Sequence, residues 1–151
     1  MLTFKKILVP LDGSALSEKA LPPALSLARQ YDGQIILIRS EDFPSIILGM
    51  GEPEVGYWVV DAEAQMHKEV QSYLAAKADE LRQQGYHVDT LQGRESPATE
   101  IIDAAKREKV DLIVMSTHGR GGVARWALGS VTDRVARHAP CPVLLVREFE
   151  E

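Results

Sequence analysis

Four short apolar runs constrain this chain more than any other feature: Ile7-Leu8-Val9, Ile35-Ile36-Leu37-Ile38, Leu112-Ile113-Val114 and Val143-Leu144-Leu145-Val146. Each is continuous rather than alternating and is built from β-branched residues and leucine, which suits a strand covered on both faces. His87 to Gln92 is a fifth candidate, polar enough for a sheet edge. Helical patterns separate the runs. Residues 14–31 carry Leu16, Ala20, Leu21, Ala24, Leu25, Leu27 and Ala28, entered from Gly13-Ser14 and closed by Asp32-Gly33, and Pro22-Pro23 should kink or restart that helix. Residues 61–84 repeat Met66, Val70, Tyr73, Leu74 and Leu81 before a stop at Gly85, which predicts the longest helix. Residues 97–109 have Ser96 as a candidate N-cap and Pro97 at the first helical position, and residues 130–138 are predicted as the last and shortest helix. The order β-α-β-α-β-α-β-α-β predicts an α/β protein with a parallel sheet and right-handed crossovers.

A chain of 151 residues supports one domain over 1–151, and 45% hydrophobic with 26% charged residues argues for a globular fold. The net charge of -5 gives no electrostatic footprint for nucleic acid. No apolar segment approaches the roughly 20 residues of a membrane span. Met1 leads almost directly into a strand-like run without a charged-then-apolar leader pattern, so a cytoplasmic location and no membrane partner are expected. Cys141 is the single cysteine, which excludes an intrachain disulfide and a cysteine metal cluster; flanked by Pro140 and Pro142, it reads as a small buried hydrophobe.

Ligands of parallel α/β sheets bind outside the carboxyl ends of the strands. Here those ends carry Pro10-Leu11-Asp12-Gly13-Ser14, Arg39-Ser40-Glu41-Asp42 and Met115-Ser116-Thr117-His118-Gly119, which should share one rim. Residues 41–60, broken by Pro44, Gly49, Gly51, Pro53 and Gly56, read as a long irregular insertion suited to a lid, a binding loop or a partner contact. After Val114 the chain runs through Gly119, Gly121 and Gly122 to Gly129-Ser130 at the start of a helix, so two clusters of backbone N–H groups could converge on one anion. Only Gly13 lies between the first strand and helix, so a GxGxxG fingerprint is missing, and no glycine precedes Lys-Ser or Lys-Thr as a phosphate loop requires. Arg120 is the cation placed to reach a phosphate, with Arg125 a weaker candidate. Ligand-free readings stand beside these. Ser130 with Asp133 fits a capping box, and Asp12 could cap the first helix with Ser14. His118 has no Ser-His-Asp or metal-ligand pattern around it, so its backbone should matter more than its imidazole, and no catalytic residue or metal site is predicted. Trp126 and Leu128 read as core or dimer-interface anchors.

The spacing of Ser116, Gly119 and Gly129-Ser130 resembles the ATP-binding signature of universal stress proteins, in which glycine, two residues and a second glycine are followed nine residues later by glycine-serine. Lys6 to Ser14 is similar to that family's opening strand with its acidic residue. Ser96-Pro97-Ala98 with Glu100-Ile101 resembles the start of its third helix, and Asp111 to Met115 and Pro142 to Val146 resemble its fourth and fifth strands. The resemblance implies an open five-stranded parallel sheet of order 3-2-1-4-5 with helices on both faces, like the adenine nucleotide α-hydrolases, and a homodimer through the last strand, Val143 to Val146. In ATP-binding members Asp12, preceded by Pro10 and Leu11, would contact the adenosine, and the backbone around Ser40 and Met115 would frame the adenine. Backbone N–H groups of Thr117, His118 and Gly119 and of Gly129, Ser130 and Val131 would hold the phosphates; the Ser130 hydroxyl, Arg120 and Thr132 complete the predicted site. Ser116 departs from the family's first glycine and Ser40 from its usual aliphatic residue, for an expected loss of about 1 kcal/mol of apolar contact.

Together these features predict an ATP-binding stress factor or regulator, with Mg²⁺ or Mn²⁺ accompanying the triphosphate and at most slow hydrolysis. A nucleotide-free dimeric interaction module of the same fold is the alternative, supported by Ser116, Ser40 and Asp133. An enzyme of the related α-hydrolase-like group would need an SGGxDS loop or an HxGH motif, which Asp12-Gly13-Ser14 and His118-Gly119 do not supply.

Overall fold

Ile7, Leu8 and Val9 have no solvent-accessible surface, and the strand they form, β1 (Lys6–Pro10), is the centre of the sheet. The computed structural model describes residues 1–41, 53–118 and 128–147, with backbone alone for 53–59. Around β1 lie β2 (Gln34–Ser40), β3 (His87–Gly93), β4 (Leu112–Ser116) and β5 (Val143–Val146), in the order β3-β2-β1-β4-β5. All four pairings are parallel: Lys6 to Pro10 run beside Gln34 to Ile38, Ile7 lies opposite Leu112, and Ile113 lies opposite Val143. This is the predicted five-stranded arrangement, with the polar run at an edge, where only Val88 of β3 is fully buried.

The first helical region is two helices, α1 (Ala15–Glu18) and α2 (Leu21–Tyr31). Ser14 caps α1 by accepting the Ser17 N–H at 3.1 Å. Pro22 and Pro23 fall in the first turn of α2, where the missing N–H groups would have had no helical acceptor. The chain therefore restarts instead of kinking. Asp32 ends α2 in the left-handed region, and a Cβ on Gly33 would stand 2.6 Å from the Phe4 carbonyl, so the turn admits no side chain there.

The next helix, α3 (Pro53–Gln83), begins inside the stretch read from sequence as an irregular insertion. Pro53 looked like a breaker but sits at the first helical position, which proline favours, and a single Gly56 costs only about 1 kcal/mol in so long a helix. Residues 42–52 of that insertion lie outside the described residues. Gly85, at φ +94°, is the predicted stop.

Two predicted caps differ in detail. Ser96 precedes α4 (Pro97–Arg107), but its hydroxyl donates to the Thr99 hydroxyl at 2.9 Å and caps no backbone N–H. The capping box of Ser130 with Asp133 does not form. Gly129 is the N-cap of α5 (Ser130–His138), and Asp133 accepts from Arg137 Nε at 3.1 Å, one turn on. Among the described residues the shortest helix is α1, not α5, because the proline pair divides the first helical region.

Two apolar clusters cover the sheet. Ile7, Val9, Ile35, Leu37, Leu112 and Val114 meet α2 and α3 on one face. Leu8, Ile36, Ile38, Ile113 and Met115 meet α4 and α5 on the other. Successive crossovers thus run outward from β1 on one face and return through β4 on the opposite face. The change of face between β1 and β4 opens a crevice at the carboxyl rim. Leu74 of α3 is 2% exposed, and Leu74→Ala should cost about 2–5 kcal/mol of stability. Urea unfolding of both proteins measures it.

Candidate functional site

At the end of β1, Leu11 N–H still bonds Ile38 O at 2.9 Å, and the chain then turns at Asp12-Gly13. Asp12 Oδ1 accepts the Ser14 N–H at 2.8 Å and the Ser14 hydroxyl at 2.5 Å, while its own N–H donates to Ser17 Oγ at 3.2 Å. Ser14 caps α1 and Asp12 steadies Ser14, so the predicted capping role is divided between them. Gly13 has φ +87°, which suits glycine.

Two contacts tie the end of β4 to α5, and a third folds the β4 end on itself. Thr132 Oγ1 donates to Ser116 O at 3.1 Å, Gly129 N–H donates to Thr117 O at 3.0 Å, and Ser116 Oγ donates to His118 O at 2.5 Å. Thr117 N–H bonds Val146 O at 3.0 Å, which carries the linkage to β5. The α5 N-terminus is therefore held against the sheet rim. Asp133 N–H is the first to find a helical acceptor, Gly129 O, at 2.9 Å. The N–H groups of Ser130, Val131 and Thr132 precede it and have no acceptor within the helix.

Between these two ends lies a cavity of about 500 Å³. It is bordered by Pro10, Leu11 and Asp12 of the β1 end, by Ser40, and by Met115, Ser116 and His118 of the β4 end. Gly129, Ser130, Val131 and Thr132 close it at the start of α5. Thr117 is buried beside the cavity without lining it, and contributes backbone ties. Gly119 and Arg120 lie outside the described residues, as do Gly121, Gly122, Arg125 and Trp126. Leu128, read as an anchor, is 37% exposed at the cavity margin and so is no core residue. The Ser40 hydroxyl donates to the Glu95 carbonyl.

Sequence reasoning put Arg39 on the rim without giving it a role, and missed Glu100 and the apolar lining by Ile38, Ile101, Met66 and Val70. Glu100 accepts the Glu95 N–H at 2.9 Å, with its carboxylate in the space a Cβ on Gly93 would occupy. The signal for Arg39 was its position at the carboxyl end of β2. Glu41, expected at the shared rim, faces the sheet edge, where it is buried against His67, Gln92 Nε2 at 2.5 Å and Arg94 Nε at 3.6 Å. Cys141 is half-buried, and burial pushes its thiol up from its ordinary range, as suits a packing residue. Among the described residues no group of three or more His, Cys, Asp or Glu side chains could hold a metal ion, and no helix is long and apolar enough to cross a membrane.

Comparison with known proteins identifies the family of this fold. The model of the universal stress protein family matches residues 3–147. The chain belongs to the universal stress protein family. Universal stress protein MJ0531 of Methanocaldococcus jannaschii is 35% identical over 145 residues, covering 96% of this chain and 83% of that protein. The solved structure of MJ0577 from the same organism superposes with a TM-score of 0.85 at 27% identity, over 99% of this chain and all of that one. A universal stress protein solved in complex with cAMP shares the fold, with a TM-score of 0.61 at 23% identity over 97% of this chain and 99% of that one.

Within this family member, the Thr132 hydroxyl joins α5 to β4 in a buried setting. Thr132→Val keeps the shape but leaves the Ser116 carbonyl without that donor, and should cost about 1–3 kcal/mol in chemical denaturation.

Proposed function

We propose that this universal stress protein binds ATP in the rim cavity and acts as a homodimeric, cytoplasmic, nucleotide-dependent regulator with at most slow hydrolysis. The reading rests on one observation: the N–H groups at the start of α5, which have no acceptor within the helix, border the same cavity as Asp12, Ser40 and Met115. A helix start with about half a positive charge and free donors suits a phosphate chain. Gly129 lets the helix start sit close against the β4 end, since a Cβ there would stand 3.2 Å from the Thr117 carbonyl. The apolar floor of Ile38, Ile101 and Met115 suits the flat face of a base. Adenine is the base in the cAMP-bound family member. Mg²⁺ or Mn²⁺ would arrive with the triphosphate, which would supply its ligands together with water.

Titration calorimetry with Mg-ATP tests the reading. Wild-type protein should give saturable heat, and Ser130→Asp should weaken ATP by about tenfold or more through charge repulsion. The same substitution should leave ligand-free stability unchanged or raise it by about 0.3–1 kcal/mol, because an acid at a helix start complements the dipole. Binding and stability then move in opposite directions. Absence of heat together with no nucleotide-dependent rise in melting temperature sinks the proposal and leaves the nucleotide-free module.

The dimer part of the reading rests on β5. It ends the sheet with apolar residues that are only partly covered, and Leu144 is 38% exposed. An open strand edge of this kind invites a second copy. Sedimentation should give a dimer for the wild type and a monomer for Leu144→Glu.

A further inference from the structure

Three consecutive carbonyls leave the end of β4, and each accepts a hydrogen bond. Ser116 O takes the Thr132 hydroxyl at 3.1 Å, Thr117 O takes the Gly129 N–H at 3.0 Å, and His118 O takes the Ser116 hydroxyl at 2.5 Å. The first two donors come from the start of α5, whereas the third belongs to the strand end itself. Ser116 is 8% exposed, so its hydroxyl works largely out of water. A serine hydroxyl has one proton to give, and here it goes to His118. Ser116 therefore acts through the backbone and offers the cavity no hydroxyl proton of its own.

Ser116 and His118 border the cavity together with Ser130, Val131 and Thr132, whose N–H groups have no acceptor within α5. A carbonyl oxygen carries partial negative charge, so one turned toward that end of the cavity would oppose an anion drawn by the helix start. The bond from Ser116 directs the His118 carbonyl back to the strand end and offsets part of its charge. Glycine, the residue of the resembling signature at this place, has no hydroxyl for the purpose. Alanine keeps the Cβ and withdraws the donor. The expectation from sequence, in which Ser116 lowers affinity, is thereby reversed in sign.

We propose that Ser116 is a positioning residue for the phosphate end of the cavity: by holding the His118 carbonyl it keeps a repelling oxygen away from the triphosphate, so serine at this place strengthens phosphate binding. This rests on the nucleotide reading above. The hydroxyl adds nothing to the base, whose apolar lining by Ile38 and Ile101 belongs to β2 and α4.

The test is titration of ATP, inorganic tripolyphosphate and adenosine, all with Mg²⁺, into the wild type, Ser116→Ala, Ser116→Gly and Ser116→Thr. Alanine and glycine should each weaken ATP and tripolyphosphate by about threefold to tenfold, the range of one hydrogen bond, and change adenosine by less than about twofold. Threonine keeps the hydroxyl and should restore wild-type affinity for all three. A purely structural role would lower adenosine and tripolyphosphate together. ATP binding by Ser116→Ala or Ser116→Gly as tight as that of the wild type, or tighter, overturns the proposal. So does a parallel loss of adenosine, or a threonine variant as weak as the alanine one. Should the alanine or threonine variant fail to fold, the ratio of ATP to adenosine affinity in Ser116→Gly decides, and a fall of less than about twofold overturns the proposal. Wild-type protein that binds ATP no tighter than adenosine overturns this proposal alone. Wild-type protein that binds no nucleotide overturns the nucleotide reading and this one with it.

Discussion

The central strand is closed on every side, and that constraint organises the molecule. β1 is hydrogen-bonded along both edges and carries Ile7, Leu8 and Val9 with no exposed surface on either face. Full burial of each such side chain contributes about 1.5–3 kcal/mol, more than local propensity supplies. To cover both faces, the helices must divide, with α2 and α3 on one side and α4 and α5 on the other. Because every pairing is parallel, the carboxyl ends of all strands open on one rim. The crevice between β1 and β4 follows from this division.

At that rim, main chain and side chains contribute differently. The α5 end offers backbone N–H groups, held in place by the ties from Gly129 to Thr117 and from Thr132 to Ser116. Such donors need little ordering when a ligand arrives, since the helix already fixes them. The β1 and β2 end offers side chains instead, and these are also fastened: Asp12 by Ser14, and Arg39 by Tyr73 and Gly13. Burial, and after it the Glu18 charge, raise the Tyr73 phenol well above its ordinary range, so a neutral ring faces the guanidinium. A cavity with both ends rigid is suited to an elongated ligand whose two halves differ in chemistry.

Strand runs were legible in the sequence because burial on both faces leaves little choice except continuous apolar residues, as in Ile35 to Ile38. The start of α3 was not, because Pro53 and Gly56 look like breakers unless the proline is recognised as a first helical residue. Ser130 and Asp133 have capping-box spacing, yet Asp133 pairs with Arg137, a competition that spacing alone does not rank. Most of the candidate site was readable from the strand ends and from Gly129-Ser130. Arg39 was placed on the rim by its strand end alone, since strand alternation puts it on the face opposite Ser40 and assigns it no ligand contact.

The sequence by itself determined the parallel α/β class, the positions of the strands and most of the membership of the rim, because periodicity and chain direction are local properties. Tertiary structure alone decided that Asp12, Arg39 and the start of α5 border one cavity, and that Glu41 belongs to the sheet edge instead. The reason is distance along the chain. Gly13 lies 26 residues from Arg39, and the space that lets a guanidinium rest there exists only when β1 and β2 are paired and α3 is packed across them.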